Sequence, residues 1–249
     1  MLYRVEALVV RSTDYGEGNK ILTLFTEAYG KIGVMARGAK KMKSRHSAVA
    51  QLFTYGEFVF YRIGQQLGSL NHADILVSHH KLREHLLLSA YASYLTEMTD
   101  RVTMDHEPQP FLFRQLKAAF EQLEDGKDAH IIIHIYEMKI LSSAGYAPTL
   151  DRCVECSAQT DHPVLSNRLG GILCERCELR DSEAVYVGDT ILKLLRIFAA
   201  VDLNRLGKID VKPEIKSALK KWMRSWLDTY MNTVWRSRHV MDQLDEIEM

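Results

Sequence analysis

Four cysteines, the only ones in the chain, fall into two pairs with the spacing of a metal site. Two residues separate Cys153 from Cys156, two separate Cys174 from Cys177, and 17 lie between the pairs. Each pair fits a tight turn, and two such turns complete a tetrahedral set of thiolates for zinc at Zn–S distances of about 2.3 Å. Because four sulfur ligands leave no position for water, we predict one structural Zn²⁺ rather than a catalytic metal.

Two alternatives accompany this prediction. The cysteines are surface dithiols, or His162 replaces one of them as a ligand. The cysteines cluster within residues 153–177, and in the reducing cytosol, where we expect this chain, such clustering favours a metal over disulfides. None of the ten histidines is followed two residues later by Glu, which the zinc deaminases need.

A second candidate site is the run of residues 37–45, called here the basic segment. Its five cations, unaccompanied by any acidic residue, are Arg37, Lys40, Lys41, Lys43 and Arg45. A flexible loop of this charge can follow a phosphate backbone and gain affinity by releasing counterions. The alternative is an ordinary solvated loop.

A third candidate, called here the basic row, recurs every four residues near the end of the chain. Its members are Lys212, Lys216, Lys220 and Arg224. On a helix this spacing predicts a slowly winding line of charge on a face opposite Trp222 and Trp226. The alternatives are a solvated helix face, or a face that docks against the acidic helices of the chain. The tryptophans themselves have a spacing more typical of core than of base stacking.

The elements that must position these residues change character near residue 80. Before it, five short runs alternate in β-branched or aromatic residues and are separated by glycine-bearing turns: 5–10, 21–25, 31–36, 53–63 and 67–76. This pattern predicts a small closed barrel, of which the OB-fold is one kind. An all-β domain without a ligand fits the pattern equally well.

After residue 80 the apolar spacing is helical. We predict helices over 82–101, 111–123 and 131–144, a fourth near 191–198, and a long fifth that Pro213 opens. The predicted fold class is α+β with several domains. A five-stranded OB-fold barrel occupies residues 1–79, and a helical domain occupies 80–249, with the four-cysteine zinc module inserted at about 150–180.

Composition narrows the functional classes. The 249 residues are 47% hydrophobic and 26% charged, which excludes a disordered or collagen-like chain. The 32 basic and 32 acidic residues cancel, yet residues 1–80 carry 10 basic to 6 acidic groups and 205–238 carry 9 to 3. The start of the chain lacks a signal-peptide pattern, and no run reaches 18 apolar residues. We therefore expect a soluble cytoplasmic protein that does not enter a membrane.

Catalytic motifs are missing from the sequence. No Gly-Lys pair is followed by Ser or Thr, so there is no phosphate-binding loop of the NTPases. H-E-x-x-H and G-x-S-x-G are also absent. We predict that the protein is not an enzyme.

Several of these elements, taken in order, resemble the bacterial recombination and repair mediator family RecO. The matching stretches are residues 11–17, Thr26-Glu27 with Gly30-Lys31, residues 38–45, Tyr94-Leu95 with Glu97, Gly145 to Pro148 before the first cysteine pair, and Gly170-Gly171 before the second. Gly18-Asn19 departs from the expected small polar residue followed by Asp.

The resemblance implies an N-terminal OB-fold, a helical domain and a zinc module. It also implies a function without catalysis: binding of single- and double-stranded DNA, annealing of complementary strands, and help in loading recombinase onto strands coated by single-strand DNA-binding protein (SSB). The implied partners are RecR and the acidic C-terminal tail of SSB, and the implied location is the cytoplasm, in association with the nucleoid. The main rival is a zinc-ribbon adaptor that binds proteins but not DNA, and a metal-dependent nuclease is a distant third.

Overall fold

The computed structural model describes residues 1–41 and 43–248. The described chain forms two compact units. The first unit contains Met1–Ala129 together with the residues from Trp235 onward, and the second contains His130–Val234. Among the described residues, no helix is both long and apolar enough to cross a bilayer.

A closed barrel of five strands forms the beginning of the first unit. The strands are β1 (Leu2–Tyr15), β2 (Asn19–Thr26), β3 (Gly30–Ala36), β4 (Tyr55–Tyr61) and β5 (Gly68–Val77). Their order around the barrel is β1-β2-β3-β5-β4, and only the β3–β5 pair is parallel. The predicted five-stranded barrel is therefore confirmed, with strand ends that differ by up to five residues.

The interior of the barrel follows the alternation of the sequence. Val5, Ala7 and Val9 of β1 join Leu22 and Leu24 of β2 in one buried cluster. The β1–β2 register then shifts between Val9 and Arg11, so that one extra residue lies in β1. Such a bulge reverses the side-chain alternation.

The bulge places Arg11 on the outer face. Without it, Arg11 would stand opposite the buried Leu22; with it, Arg11 stands opposite Thr23. The guanidinium then donates to Thr23 Oγ1 at 3.2 Å and lies 3.5 Å from an Asp100 carboxylate oxygen. The extra residue thus keeps a cation out of the apolar interior.

Four helices complete the first unit: α1 (His80–Glu84), α2 (Leu86–Val102), α3 (Pro110–Glu124) and α7 (Arg236–Glu248). The single helix predicted over 82–101 is broken, because His85 has an extended backbone with φ −100° and ψ 120°. Helix α7 was not predicted. It packs along α2, where the Tyr91 hydroxyl donates to Asp245 at 2.7 Å and the Trp235 ring meets Tyr94 edge-on at 6.2 Å.

The second unit contains helices α4 (Ala129–Ser143, whose first residue belongs to the first unit), α5 (Asp189–Ala200) and α6 (Pro213–Met231), and the two-stranded sheet of β6 (Val164–Ser166) and β7 (Gly171–Leu173). The Trp222 and Trp226 rings lie 4.9 Å apart and are tilted by 31°, and Trp226 donates its indole N–H to the Tyr146 carbonyl at 2.9 Å. Both tryptophans are buried, as is Trp235 in the first unit. The interpretation of the tryptophans as core residues is confirmed.

The carboxylate of Glu97 on α2 caps the first turn of α7. It accepts the backbone N–H groups of Arg236 at 3.1 Å and Ser237 at 2.8 Å. Burial opposes ionisation of Glu97, but the Ser237 and Arg236 hydrogen bonds and the charge of Arg101 together lower its pKa. A negative group at this end also complements the helix dipole.

We expect Glu97→Gln to lower the free energy of unfolding by about 1 kcal/mol, the usual effect of a lost helix cap. Because the folded-state pKa of Glu97 is depressed, its stabilisation is present above the unfolded-state pKa of about 4.3 and is lost as the pH falls through the folded value. Urea unfolding near neutral and at acidic pH measures both effects. Glu246→Gln, an exposed change on the capped helix α7, is the control; equal effects of the two substitutions would contradict the capping role.

Candidate metal centre and nucleic-acid interface

Each cysteine pair lies in its own hydrogen-bonded turn. In the first, Cys153 N–H donates to the Ala158 carbonyl and Ser157 N–H donates to the Cys153 carbonyl, both at 2.9 Å. In the second, Cys177 N–H donates to the Cys174 carbonyl at 2.8 Å. These turns hold the two sulfur atoms of each pair on the same side of the chain.

A β-hairpin brings the two turns together. Strands β6 and β7 pair between the cysteine pairs, and Gly170 supplies the left-handed turn with φ +85°. A Cβ atom at Gly171 would lie 2.3 Å from the Thr149 carbonyl oxygen, so only glycine fits there. The sequence Leu169-Gly170-Gly171 therefore does return the second pair to the first.

The sulfur geometry fits a tetrahedral metal ion. All four Sγ atoms lie within 4.8 Å of one another, and Cys156 Sγ is 3.6 Å from Cys174 Sγ. A regular shell of four sulfur atoms with metal–sulfur bonds of about 2.3 Å puts those atoms about 3.8 Å apart. All four cysteines are free thiols rather than disulfides. The predicted four residues are thus brought together in a set that can bind a metal ion.

The pKa values of the thiols are also consistent with a site that binds a metal cation. Burial opposes ionisation of Cys153, but backbone N–H groups of Cys156, Cys174 and Glu155 lower its pKa to about 6. Burial and hydrogen bonding with the neighbouring sulfur atoms raise the pKa of Cys177 instead. Four adjacent thiolates repel one another, so a bound cation is what would allow all of them to ionise.

The basic segment connects β3 to β4 at one end of the barrel. Its five cations, Arg37, Lys40, Lys41, Lys43 and Arg45, are all exposed. Met42 within it lies outside the described residues. Ala39 within the segment, and Val49 and Ala50 further along the same connection, are buried in the barrel's own apolar cluster. The connection therefore closes this end of the barrel while it presents its charges outward.

Hydrogen bonds anchor the basic segment to the β1–β2 turn. Asn19 Oδ1 accepts the Gly38 N–H at 2.9 Å, and the Gly18 carbonyl accepts the Lys40 N–H at 3.1 Å. Lys40 Nζ lies 2.8 Å from Asp14 and lowers the pKa of that carboxyl. The basic segment, predicted as a flexible loop, is thus held to the β1–β2 turn by hydrogen bonds. Asn19, the departure noted above, makes through its amide oxygen a bond that an aspartate could also make.

The basic row is less exposed than its spacing predicted. Lys212 precedes α6 and is exposed, whereas Lys216, Lys220 and Arg224 are half-buried. Lys216 lies seven residues before Met223, which is close to two helical turns, so the two share a face. Met223 is fully buried. The row therefore lies at the margin of a wide apolar face rather than opposite it, and its role in DNA binding stays a prediction.

Lys221 is the residue of α6 that sequence reasoning missed. It is exposed, and it lies on the helical face opposite the buried one. Marking every apolar residue of the helix, rather than the tryptophans alone, would have directed attention to it. The basic segment belongs to the first unit, and the basic row and Lys221 belong to the second.

Together, a closed five-stranded barrel of OB topology, a helical region and a four-cysteine cluster define a class of OB-fold protein with a metal-binding module. Residues 1–79 match the family model described as Recombination protein O N terminal, and residues 83–239 match Recombination protein O C terminal. The chain therefore belongs to the RecO family of bacterial DNA repair proteins.

Full-length relatives agree with this assignment. The DNA repair protein RecO of Bacillus cytotoxicus is 40% identical over 249 residues, which cover 100% of both chains. That of Halalkalibacterium halodurans is 42% identical over 99% of this chain and 97% of its own. That of Bacillus pumilus is 41% identical over 100% of this chain and 96% of its own. The resemblance described from the sequence is confirmed.

We expect Cys174→Ser to lower the melting temperature and solubility, because metal binding at such a site is coupled to folding. The affinity for DNA per folded molecule should change much less. Thermal unfolding, with DNA binding measured on the folded fraction, tests this expectation. Ser157→Ala, outside the ligand set, is the control; a Cys174→Ser protein as stable as this control would contradict a structural metal.

Proposed function

We propose that this protein is a non-catalytic DNA-binding mediator of recombinational repair. The observation that carries the proposal is the anchored basic segment on the barrel of a RecO-family chain. Five exposed cations on one closed end of an OB-topology barrel form a surface suited to a phosphate backbone. Membership of a DNA repair family supports DNA as the partner.

We propose the specific DNA transactions of this protein from its family membership rather than from the geometry of the site. We propose that the protein binds single- and double-stranded DNA, anneals complementary strands, and helps to load recombinase onto SSB-coated DNA in the cytoplasm at the nucleoid. RecR and the acidic C-terminal tail of SSB are its proposed protein partners. Reconstitution with purified SSB, RecR and recombinase tests these roles directly.

The metal we propose is zinc, one ion per chain, held by Cys153, Cys156, Cys174 and Cys177. Zinc favours a closed shell of four sulfur ligands, and its role here would be to hold the two turns together. Metal analysis of protein that has never met a chelator should find one zinc per chain. A content well below one, or another metal in its place, would contradict this assignment.

A second candidate is a zinc-ribbon adaptor that binds proteins without touching DNA. The salt bridge between Lys40 and Asp14 favours it, because it shows that one cation of the basic segment already has an anionic partner. Lys41 and Lys43 stay exposed, which favours DNA. A binding isotherm with single-stranded DNA at several salt concentrations separates the two candidates.

We expect replacement of Lys40, Lys41 and Lys43 together by Ala to weaken DNA binding. Three lost phosphate contacts should flatten the slope of log affinity against log salt by about 2 units on single-stranded DNA. The loss should be similar for different sequences, since phosphate contacts carry no base information. Fluorescence anisotropy with labelled oligonucleotides provides the measurement.

The control for this variant is the triple replacement of Lys81, Lys193 and Lys208 by Ala. It removes the same charge from exposed positions outside the basic segment and the basic row. If the two triple variants have the same isotherm while both remain folded, the basic segment is a solvated loop.

The basic row gives a separate prediction about annealing. Two cationic surfaces can hold two strands at once, so charge reversal at Lys216 and Lys220 should slow annealing more than it weakens binding of a short single strand. Strand annealing is followed by fluorescence quenching between labelled complementary oligonucleotides. Since both residues are half-buried, the melting temperature is measured alongside. A lower melting temperature without a specific annealing defect would assign the row to folding instead.

A further inference from the structure

A pocket of about 460 Å³ opens in the second unit between α6 and the cysteine module. Its walls are largely apolar and include Leu165 of β6, Ile191 of α5 and Trp222 of α6. Tyr186, which is 61% exposed, lines it from the segment that precedes α5. The pocket thus combines two aromatic rings with an apolar interior.

Hydrogen bonds fix the walls of the pocket. Asn167, in the β6–β7 turn, donates its side-chain amide to Ser225 of α6 at 2.7 Å, and its carbonyl accepts the Tyr230 hydroxyl at 2.5 Å. Asp181 accepts a hydrogen bond from Ser166 and lies 3.3 Å from Arg168 Nε. These contacts keep the hairpin and the helix at a fixed spacing, so the cavity is preformed.

Lys221 is a polar group of the pocket that a ligand can reach. It is exposed and lines the pocket, and no described carboxylate lies within ion-pair distance of its ammonium group. The Trp222 ring forms part of the wall beside it, with its indole N–H buried. A ligand that combines a flat apolar ring with an anionic group would fill the cavity and pair with Lys221.

We propose that this pocket receives one unstacked base of single-stranded DNA, whose neighbouring phosphate contacts Lys221. Aromatic side chains beside a cation are the combination by which proteins hold single strands, because every base offers a flat face for stacking and a charged backbone beside it. The inference rests on the proposed DNA-binding function, and it gives α6 a contact with DNA in addition to the one proposed for the basic row.

The acidic residues of the pocket are compatible with this occupant. The Asp181 carboxylate already has partners in the Ser166 hydroxyl, a backbone N–H of Glu183 and the Arg168 guanidinium, which together lower its pKa. The Glu183 side chain is exposed, so water solvates its carboxylate. Neither group therefore demands a cationic ligand.

Photocrosslinking locates the base directly. An oligothymidylate of about 20 nucleotides, longer than a typical OB-fold site, carries 5-iododeoxyuridine and is irradiated with the intact protein. Mass spectrometry of the digested product should find a crosslink on the peptide that contains Tyr186 or on the one that contains Trp222. Crosslinks confined to the first unit would overturn the inference and leave the proposed function standing, whereas wild-type protein that does not bind the oligonucleotide would refute both.

Substitutions at exposed positions test the same contact in solution. Tyr186→Ala should weaken binding of this oligonucleotide by about tenfold, and Tyr186→Phe, which keeps the ring, should restore it. Lys221→Ala should reduce the salt slope by about 0.7 unit, whereas Lys193→Ala, an exposed cation away from the pocket, should not. If Tyr186→Ala and Lys221→Ala both bind like wild type, the pocket does not hold a base, and an apolar side chain of a partner protein becomes its better occupant.

Discussion

The pairing of β1 with two neighbours is the interaction on which the first unit depends. This 14-residue strand pairs with β4 from Leu2 to Leu8 and with β2 from Ala7 to Tyr15, so that the sheet closes into a barrel. Closure requires the strand to bend, and the bulge between Val9 and Arg11 provides the bend. The β3–β4 connection then closes one end of the barrel, and its cations stay in solvent.

The second unit depends on a different constraint, the convergence of four sulfur atoms. Its sheet has only two strands of three residues each, which is too little to be stable alone. The cysteine turns and the β6–β7 hairpin form one module, to which α6 is joined by the Asn167–Ser225 and Tyr230–Asn167 contacts. A metal that holds the turns together therefore also supports the wall of the neighbouring pocket.

The positions of the charged residues matter more in this protein than its net charge. The net formal charge is zero, yet the basic segment presents five exposed cations in nine residues. In contrast, Glu97 and Asp100 on α2 have structural partners, in the amide groups of α7 and in Lys31 and Arg11 of the barrel. Acidic groups of the middle of the chain thus serve to join elements of the first unit.

Sequence alone determined the features that depend on local spacing. These features are the cysteine pairs, the five alternating strands, the glycine turn at Gly170 and the family. Each could be inferred because its signal lies in residues that are close together in the sequence. Tertiary structure decided what depends on distant partners: the break at His85, the return of α7 to α2 under the Glu97 cap, the anchoring of Gly38 by Asn19, and the pocket beside Lys221. The partial burial of Lys216 belongs to the second group as well, since it depends on the whole apolar surface around the helix.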